Sequence, residues 1–383
     1  MEKTSFETLS KDLQINILTR LPLKSLMKSL VVSKTWATMI REKEFNVDYL
    51  ERSTTRPRVM FMVERYKPEP HEPVMSWFDT VYKEQRGIRA TPYSEVLFHS
   101  VYRDEEPFLS CGQQQLRLSL HSVYDVSQPI RGLICLKLRN KLAVCNPGTK
   151  KFQTLPEIQV REDSIISSFL GYDEATDVFK VFCLTRMKSG KPLDGTKEYL
   201  VLTVESTGQE SWRSITCEYD HEPLTEGICK GGVLYYGAYI FQPDEANDQS
   251  YNDTLVVMSF NVRSEEFSII RYPNPEAAFQ WLRFVIYNEK IALVDDADFD
   301  KESLNVPING NKVFYIWVMD ERTIGERELV FAQNSYGADR DDDFVLYYGT
   351  ESTTFRKFKI QGVVGKDQTV RTCLDHVDSL YLM

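Results

Sequence analysis

The chain has no cysteine before Cys111, and its seven cysteines include no C-x-x-C pair and no zinc-type spacing to a histidine. A structural metal or a disulfide is therefore excluded from the first hundred or so residues. Several cysteines lie in apolar runs, such as Cys135 in GLICL and Cys183 in KVFCL. We expect these to be buried thiols of a protein in a reducing compartment.

Long apolar runs are also missing. No stretch approaches the roughly 18 residues that a membrane helix requires, and the residues after Met1 are charged, unlike a secretory signal. The net charge of −10 argues against nucleic acid as a main partner, because phosphate contacts need a basic surface. The sequence therefore predicts a cytoplasmic or nuclear protein that binds neither nucleic acid nor membranes.

Catalytic and cofactor motifs are absent as well. The five histidines show no H-E-x-x-H spacing, and there is no G-x-S-x-G elbow and no P-loop. The acidic segment that begins at Asp295 has Asp300 where an EF-hand needs glycine and Val306 where it needs glutamate, and residues 339–343 form a similar acidic segment. We interpret them as solvated loops, with an acidic rim for a basic target as the alternative. A non-catalytic protein without metal or cofactor is favoured, although catalytic groups from distant parts of a chain can also converge.

An amphipathic stretch, residues 6–45, opens the chain. Asp12 is a candidate cap for its first helix, and Pro22 cannot continue that helix because proline lacks an N–H and its ring clashes. Three short helices are predicted from apolar residues at one-face spacing: Leu13, Ile17, Leu18 and Leu21, then Leu23, Leu26, Met27 and Leu30, then Val32, Trp36, Met39 and Ile40. So small a unit buries too little surface to be stable alone, so we expect it to bind a partner.

This stretch resembles an F-box, the adaptor-docking motif of cullin-based ubiquitin ligases. The matching positions are Leu9, Asp12, Leu13, Ile17, Leu18, Leu21, Pro22, Ser25, Leu26, Val32, Ser33, Lys34, Trp36 and Phe45. Ser10 stands where the family usually has proline, and Ser29 where a basic residue is frequent; both departures predict a lower adaptor affinity. The resemblance implies that the adaptor contacts Leu9, Leu13, Ile17, Leu18, Leu21, Pro22, Leu26, Val32 and Trp36. The alternative is that these are core positions of a helical cap on the larger domain.

Short runs rich in Val, Ile, Tyr and Phe, bounded by Gly, Pro, Asn and Asp, dominate the rest of the chain. The first candidate strands are Arg58–Glu64, Ser76–Tyr82 and Glu95–Tyr102. From residue 116 onward, candidate strands of similar length follow one another at regular spacing. No long helix is predicted after residue 50, and residues 46–56 are expected to form a connection. Regular short strands predict a propeller, a barrel or a sandwich.

A repeated turn favours the propeller. In the segments 146–152, 173–179 and 261–267, an Asn or Asp is followed three positions on by Ser or Thr and six positions on by Phe, with a looser copy at 206–212. The first side chain is expected to bond the turn backbone, and the aromatic residue to begin the return strand and pack inward. The sequence thus predicts the same hairpin in several sheets.

A second repeated element is a glycine before an apolar run, as in Arg131-Gly132 and Gly231-Gly232. The two copies lie 100 residues apart, about two blades of a kelch-sized repeat of roughly 50 residues. Propellers usually close by pairing their two ends in one blade. The last apolar run, Ser379–Leu382, is therefore expected to pair near Arg58–Glu64. A pair of sandwiches remains the alternative fold.

The body of the chain resembles the F-box-associated domain of plant F-box proteins, a divergent kelch-like propeller, over the segments 131–156, 169–182, 211–215, 231–236, 255–270 and 313–320. The resemblance implies a mainly β protein with a small α-helical module: a three-helix F-box at 4–50 and a kelch-like β-propeller at 57–383. It further implies a substrate-recognition subunit of an SCF-type cullin-RING ubiquitin ligase. The F-box would bind a Skp-family adaptor, and through it a cullin and a RING protein, while the propeller holds a protein target for ubiquitination.

Two other functions stay open: a propeller enzyme with an incidental helical N-terminus, and a ligand-binding scaffold without ligase assembly. Candidate recognition residues on the propeller are Tyr235, Tyr236, Tyr239, Phe241, Tyr347 and Tyr348. Because alternate residues of a strand point inward, core positions are the other interpretation of these aromatics.

Overall fold

The computed structural model describes residues 6–56, 58–67, 93–102, 109–110, 114–121, 125–138, 141–161, 164–187, 197–204, 211–243, 251–271, 282–287, 290–295, 315–318, 328–332, 344–349, 354–361 and 368–381. None of the helices in these ranges is long and apolar enough to cross a membrane. Several predictions fall outside the described residues: the strand at 76–82, the acidic residues 296–302 and 339–343, and the side chains of Tyr347 and Tyr348.

The described N-terminal residues form a helical module: a 3-10 helix (Phe6–Thr8), α1 (Lys11–Leu18), α2 (Leu23–Val32), α3 (Lys34–Ile40) and α4 (Lys43–Thr54). The three predicted helices are confirmed with two differences: α1 ends at Leu18, so that Leu21 lies outside it, and Val32 ends α2 and does not belong to α3. The prediction of a connection over residues 46–56 is wrong, because α4 occupies most of it. Its apolar residues are few, but Phe45, Tyr49 and Leu50 lie on one buried face at helical spacing.

Ser10, and not Asp12, caps α1. The Ser10 hydroxyl accepts a hydrogen bond from the Leu13 amide at 3.4 Å, and Asp12 lies in the first turn, where its charge complements the helix dipole. Pro22 directly precedes α2 and separates it from α1, as predicted. Ser10 therefore departs from the F-box pattern but supplies a side-chain acceptor that proline lacks.

The described strands form six sheets, here called blades I to VI in chain order. Blade I contains β1 (Arg58–Lys67), β2 (Tyr93–Tyr102), β4 (Gln114–His121) and β24 (Gln368–His376). Blade II contains β5 (Asp125–Val126), β6 (Ile134–Leu138), β7 (Lys141–Asn146) and β8 (Lys151–Thr154). Blade III contains β9 (Ser164–Asp173), β10 (Val178–Met187), β11 (Glu198–Val204) and β12 (Arg213–Ile215).

Blade IV contains β13 (His221–Pro223), β14 (Ile228–Lys230), β15 (Val233–Pro243), β16 (Tyr251–Asn261) and β17 (Phe267–Arg271). Blade V contains β18 (Leu282–Tyr287), β19 (Lys290–Asp295) and β20 (Tyr315–Val318). Blade VI contains β21 (Glu328–Ala332), β22 (Phe344–Gly349) and β23 (Thr354–Gln361). A two-residue strand, β3 (Leu109–Ser110), lies parallel to β23 and so connects blade VI to the segment between β2 and β4 of blade I.

The two ends of the strand-rich domain meet in blade I, where β24 pairs antiparallel with β1 and Val63 lies opposite Val370. Closure through β1 is as predicted, but the prediction that Ser379–Leu382 supplies the closing strand is wrong. The closing strand is the more polar segment Gln368–His376, and the apolar residues after it have another place in the fold.

Apolar side chains pack between successive blades. Met60 of blade I lies in one cluster with Ile134 of blade II, and further clusters join blades II and III, III and IV, and IV and V. Sheets that pack in chain order and close between the first and last strands form a β-propeller. The propeller prediction is therefore confirmed, and the alternative of paired sandwiches does not hold.

Three of the four copies of the repeated turn lie in the described residues and behave as predicted, whereas most of the looser copy at 206–212 lies outside them. Asn146, Asp173 and Asn261 each accept hydrogen bonds from backbone amides two or three residues on, at 2.9–3.2 Å. The residue four positions after each of them has a left-handed backbone: Lys150 (φ 62°), Asp177 (φ 58°) and Glu265 (φ 62°). The aromatic residues that follow pack into the clusters between blades: Phe152, Phe179 and Phe267.

Candidate functional site

The helical module carries most of the exposed apolar side chains. The described residues expose six large hydrophobic side chains, and four of them lie on α1 and α2. Leu13 and Ile17, 53% and 41% exposed, share one face of α1 because residues four apart lie on the same side of a helix. Val31 and Val32, 90% and 72% exposed, form a second pair at the end of α2. Exposed apolar side chains are thus concentrated on α1 and α2 within the described residues.

The other residues predicted to contact an adaptor are placed differently. Leu18 and Leu26 are fully buried in the core of the module, and Leu21 and Trp36 pack half-buried against the same cluster. A fully buried side chain supports a contact surface from inside. Leu9 is half-buried and Pro22 is exposed. The structure thus leaves Leu13, Ile17, Pro22 and Val32 most accessible among the nine.

Val31 is the most exposed of the four apolar side chains, and sequence reasoning did not single it out. A signal for it exists in the sequence. The run Leu30-Val31-Val32 is wider than the stripe that one face of a short helix can bury. At least one of these side chains therefore had to face outward.

Contacts inside the module hold α1 against the later helices. The Tyr49 hydroxyl of α4 donates to the Leu21 carbonyl at 3.3 Å, and Lys11 and Glu42 form an ion pair at 3.0 Å. Phe6 packs edge-on against Trp36, with ring centroids 4.6 Å apart. The exposed face of α1 therefore rests on an ordered core, so that a partner meets a preformed surface.

The candidate recognition aromatics of β15 are buried or half-buried. Tyr236 is fully buried, and its hydroxyl lies 2.8 Å from His221 Nε2. Tyr235 and Tyr239 pack half-buried between blades IV and V, and Phe241 has Lys197 Nζ 5.3 Å from its ring centroid. The recognition hypothesis is therefore wrong for Tyr236, and Tyr235 and Tyr239 contribute to the packing between two blades.

A cysteine and a histidine lie side by side in this region, with Cys217 Sγ 3.8 Å from His221 Nδ1. Burial raises the pKa of the Cys217 thiol to about 11 and lowers the pKa of His221 to about 4. Both groups are therefore uncharged at neutral pH, whereas a catalytic cysteine reacts as its thiolate. The imidazole is held between the Tyr219 carbonyl and the Tyr236 hydroxyl. The pair is part of the packing of blade IV.

The cysteines whose side chains the structure describes are thiols. Cys135, Cys145 and Cys183 are buried thiols, as predicted, and Cys217 and Cys229 are half-buried thiols. Within the described ranges, no group of three or more His, Cys, Asp or Glu side chains is placed to hold a metal ion. The feature that remains is the group of exposed apolar side chains on α1 and α2 of the helical module.

Comparison with known proteins gives two family matches. Residues 6–48 match the F-box domain, and residues 83–324 match the F-box associated beta propeller domain. Two putative F-box proteins of Arabidopsis thaliana, At1g70970 and At1g70960, are 50% and 41% identical over 415 and 408 residues, covering 100% of this chain and of each relative. The F-box/kelch-repeat protein At3g04660 of the same plant is 28% identical over 396 residues, covering 96% of this chain and 91% of its own.

Among solved structures, the WD40 domain of SCAP from fission yeast is similar over 74% of this chain and 92% of its own, with 9% identity and a TM-score of 0.32. A likeness this slight carries no argument about function.

Proposed function

Because the chain belongs to the family of F-box proteins with an F-box associated β-propeller domain, we propose that it is the substrate-recognition subunit of an SCF-type cullin-RING ubiquitin ligase. The helical module binds a Skp-family adaptor and, through it, a cullin and a RING protein. The propeller holds a protein target. The buried thiols suit the reducing conditions of the cytoplasm or the nucleus, where we place this activity.

The exposed apolar pairs of the module carry the proposal. We assign the adaptor contact to Leu13 and Ile17 on α1, Val31 and Val32 on α2, and the exposed Pro22 that precedes α2. Leu9, Leu21 and Trp36 border or support this surface, and the buried Leu18 and Leu26 support it from the core. Fully burying an exposed side chain of this kind yields about 1.5–3 kcal/mol, and a half-exposed one contributes in proportion, so a few of them together can dominate an interface.

The proposed mechanism is proximity. A receptor that holds a target beside a ubiquitin-conjugating enzyme raises the effective concentration of the two reactants and supplies no catalytic group of its own. The neutral Cys217–His221 pair fits a chain without a nucleophile in this region. The protein is therefore proposed to be a non-catalytic subunit.

The test is adaptor binding by the full-length chain, measured with a purified Skp-family adaptor. The double variant Leu13→Ser/Ile17→Ser removes apolar contact area from exposed positions, so its fold should persist. We expect its affinity to fall by roughly a hundredfold, which corresponds to about 3 kcal/mol. A matched control is Leu224→Ser/Ile270→Ser, which changes two exposed apolar residues of the propeller and should leave affinity unchanged.

This pair of variants distinguishes the loss of an adaptor contact from the loss of the module's fold. The double variant Leu21→Ala/Pro22→Ala does so less well. Leu21 is half-buried in the core of the module, and its carbonyl is held by Tyr49, so its loss would also loosen the helices. A wild-type chain that fails to bind the adaptor would refute the proposed function and favour a scaffold without ligase assembly. A Leu13/Ile17 variant that binds as the wild type does would instead refute the assignment of these two residues to the adaptor contact.

A further inference from the structure

The last described residues, Val377–Tyr381, leave β24 and are held by blade II. The Asn146 side-chain amide donates to the Ser379 carbonyl and the Tyr381 carbonyl, each at 3.0 Å, and lies 3.1 Å from the Ser379 hydroxyl. Asn146 is buried, while its oxygen keeps the hairpin turn that follows β7. One side chain thus serves both the repeated turn and the end of the chain.

The second repeated motif faces the same segment. Gly132 has φ +82°, and a Cβ there would lie 2.5 Å from the Ser379 hydroxyl and 2.7 Å from the Val377 carbonyl. At Gly231 and Gly232, by contrast, an added Cβ would meet nothing within 4 Å. Gly132, Gly231 and Gly232 all have the left-handed backbone that favours glycine. Among these three, only Gly132 lies so close to residues 377–379 that a side chain there would collide with them.

The other side of this segment belongs to the helical module. Leu380 is buried in the same cluster as Leu18, Leu26 and Phe45, and the Asp378 amide donates to the Ser53 hydroxyl of α4 at 2.7 Å. The Tyr381 hydroxyl donates to Asp177 of blade III at 2.6 Å. The segment is therefore in contact with both domains.

Direct contacts between the domains surround it. Asp177 forms an ion pair with Lys43 of α4 at 3.3 Å, and a Cβ at Gly148 would collide with the Leu23 side chain of α2. Burial alone raises the pKa of Asp177, but bonds from Tyr381, Tyr172 and Lys43 outweigh it and lower that pKa. The carboxylate is thus charged at neutral pH and available to both partners.

We infer that residues 377–381 complete the hydrophobic core of the F-box and fix it to the propeller, so that adaptor docking on α1 depends on the C-terminal end of the chain. A helical unit of this size needs additional buried surface to be stable, and Leu380 supplies part of it from within the same molecule. The docking surface is then ordered before the adaptor arrives. The adaptor part of this inference rests on the proposed function; the completion of the core does not.

Two variants and one matched control test it in the full-length chain. Leu380→Ala leaves a cavity in the helical core. Asn146→Asp keeps an oxygen for the turn, as Asp173 does in blade III, but loses the donor that binds Ser379 and Tyr381. The control is Asn261→Asp, the same change at the same turn position of blade IV.

Amide hydrogen exchange, read by mass spectrometry, is the first measurement. For Leu380→Ala and Asn146→Asp we expect exchange in α2 and α4 to be at least tenfold faster, with blade IV unchanged, and no change in the helices for Asn261→Asp. The inference is overturned if the helices exchange at the wild-type rate, or if blade IV accelerates as much as they do.

Adaptor affinity is the second measurement. Leu380→Ala and Asn146→Asp should weaken binding at least fivefold although neither residue lies on the exposed face of α1. Leu13→Ser/Ile17→Ser should weaken binding without faster exchange in the helices. If the wild type does not bind the adaptor, the proposed function fails, and the exchange measurement still decides whether the C-terminal segment completes the module.

Discussion

Arg58 and Asp378 form a buried ion pair, with Arg58 Nη2 2.5 Å from Asp378 Oδ2. They come from the first and last strand regions of the propeller's sequence. Arg58 begins β1, and Asp378 follows β24, whose His376 pairs with Arg58. Burial raises the pKa of Asp378, and Arg58 opposes that rise. Arg58 also donates to Ser100 of β2 at 3.2 Å. A single guanidinium thus holds three segments of the closed blade.

Asp378→Asn should destabilise the whole protein. It leaves the Arg58 charge buried without its counter-charge, and breaking one partner of a buried pair costs about 3–5 kcal/mol. Urea denaturation would measure this loss. The double variant Arg58→Met/Asp378→Leu removes both charges and should recover much of the stability. Equal stability of Asp378→Asn and the wild type would contradict a structural role for the pair.

Acid should destabilise the fold through two histidines. Burial lowers the pKa of His221 to about 4, and burial together with the Arg58 charge lowers the pKa of His376 to about 3. The unfolded chain, with histidine pKa values near 6.5, then binds more protons than the folded chain in acid. The stability is fully present above about pH 6.5 and is lost as pH falls toward 4, by about 2 kcal/mol per histidine at pH 5.

The melting temperature between pH 7.5 and pH 5 tests this. His376→Leu is the informative variant, because neither ring nitrogen of His376 has a hydrogen-bond partner among the described residues. An apolar side chain at that place should keep the stability at pH 7.5 and flatten the fall in acid. An unchanged pH dependence in this variant would show that His376 is not the responsible group.

Lys150→Gly should stabilise the protein slightly. Lys150 has φ 62° and is exposed in the turn between β7 and β8, and glycine adopts this left-handed backbone without the Cβ penalty of about 1 kcal/mol. Lys151→Gly, one residue later in β8, is the matched control and should destabilise by about 0.5–1 kcal/mol. Thermal melts that shift in opposite directions would support the turn geometry; equal shifts would contradict it.

Ser10→Ala should weaken α1 and with it the docking surface. The change removes the acceptor for the Leu13 amide, and loss of an N-cap typically costs about 0.5–2 kcal/mol, with the long 3.4 Å bond placing Ser10 near the lower end. Ser10→Asp keeps an acceptor and should retain the wild-type stability. Circular dichroism melts of the three proteins measure the difference, and identical melting curves would exclude a capping role.

Local sequence patterns predict some elements of this fold and not others. Helix α1, the strands β1 and β2, and the turns at Asn146, Asp173 and Asn261 follow from local periodicity and turn chemistry, and the structure contains them. The sequence pattern does not predict helix α4, because the helix has few apolar residues outside its buried face of Phe45, Tyr49 and Leu50. The closing strand was missed because the polar segment Gln368–His376 supplies it, while the more apolar residues beyond it enter the helical core.

The sequence alone determined the helical module, the succession of short strands and the repeated turn, because each depends on residues close together in the chain. The tertiary structure decided which leucines of the module face outward, since Leu13 and Leu18 look alike in a periodic pattern and only packing against α3, α4 and Leu380 buries one of them. It also decided that Asn146 and Gly132 hold the C-terminal segment. That contact joins residues more than 200 positions apart, and no local rule encodes it.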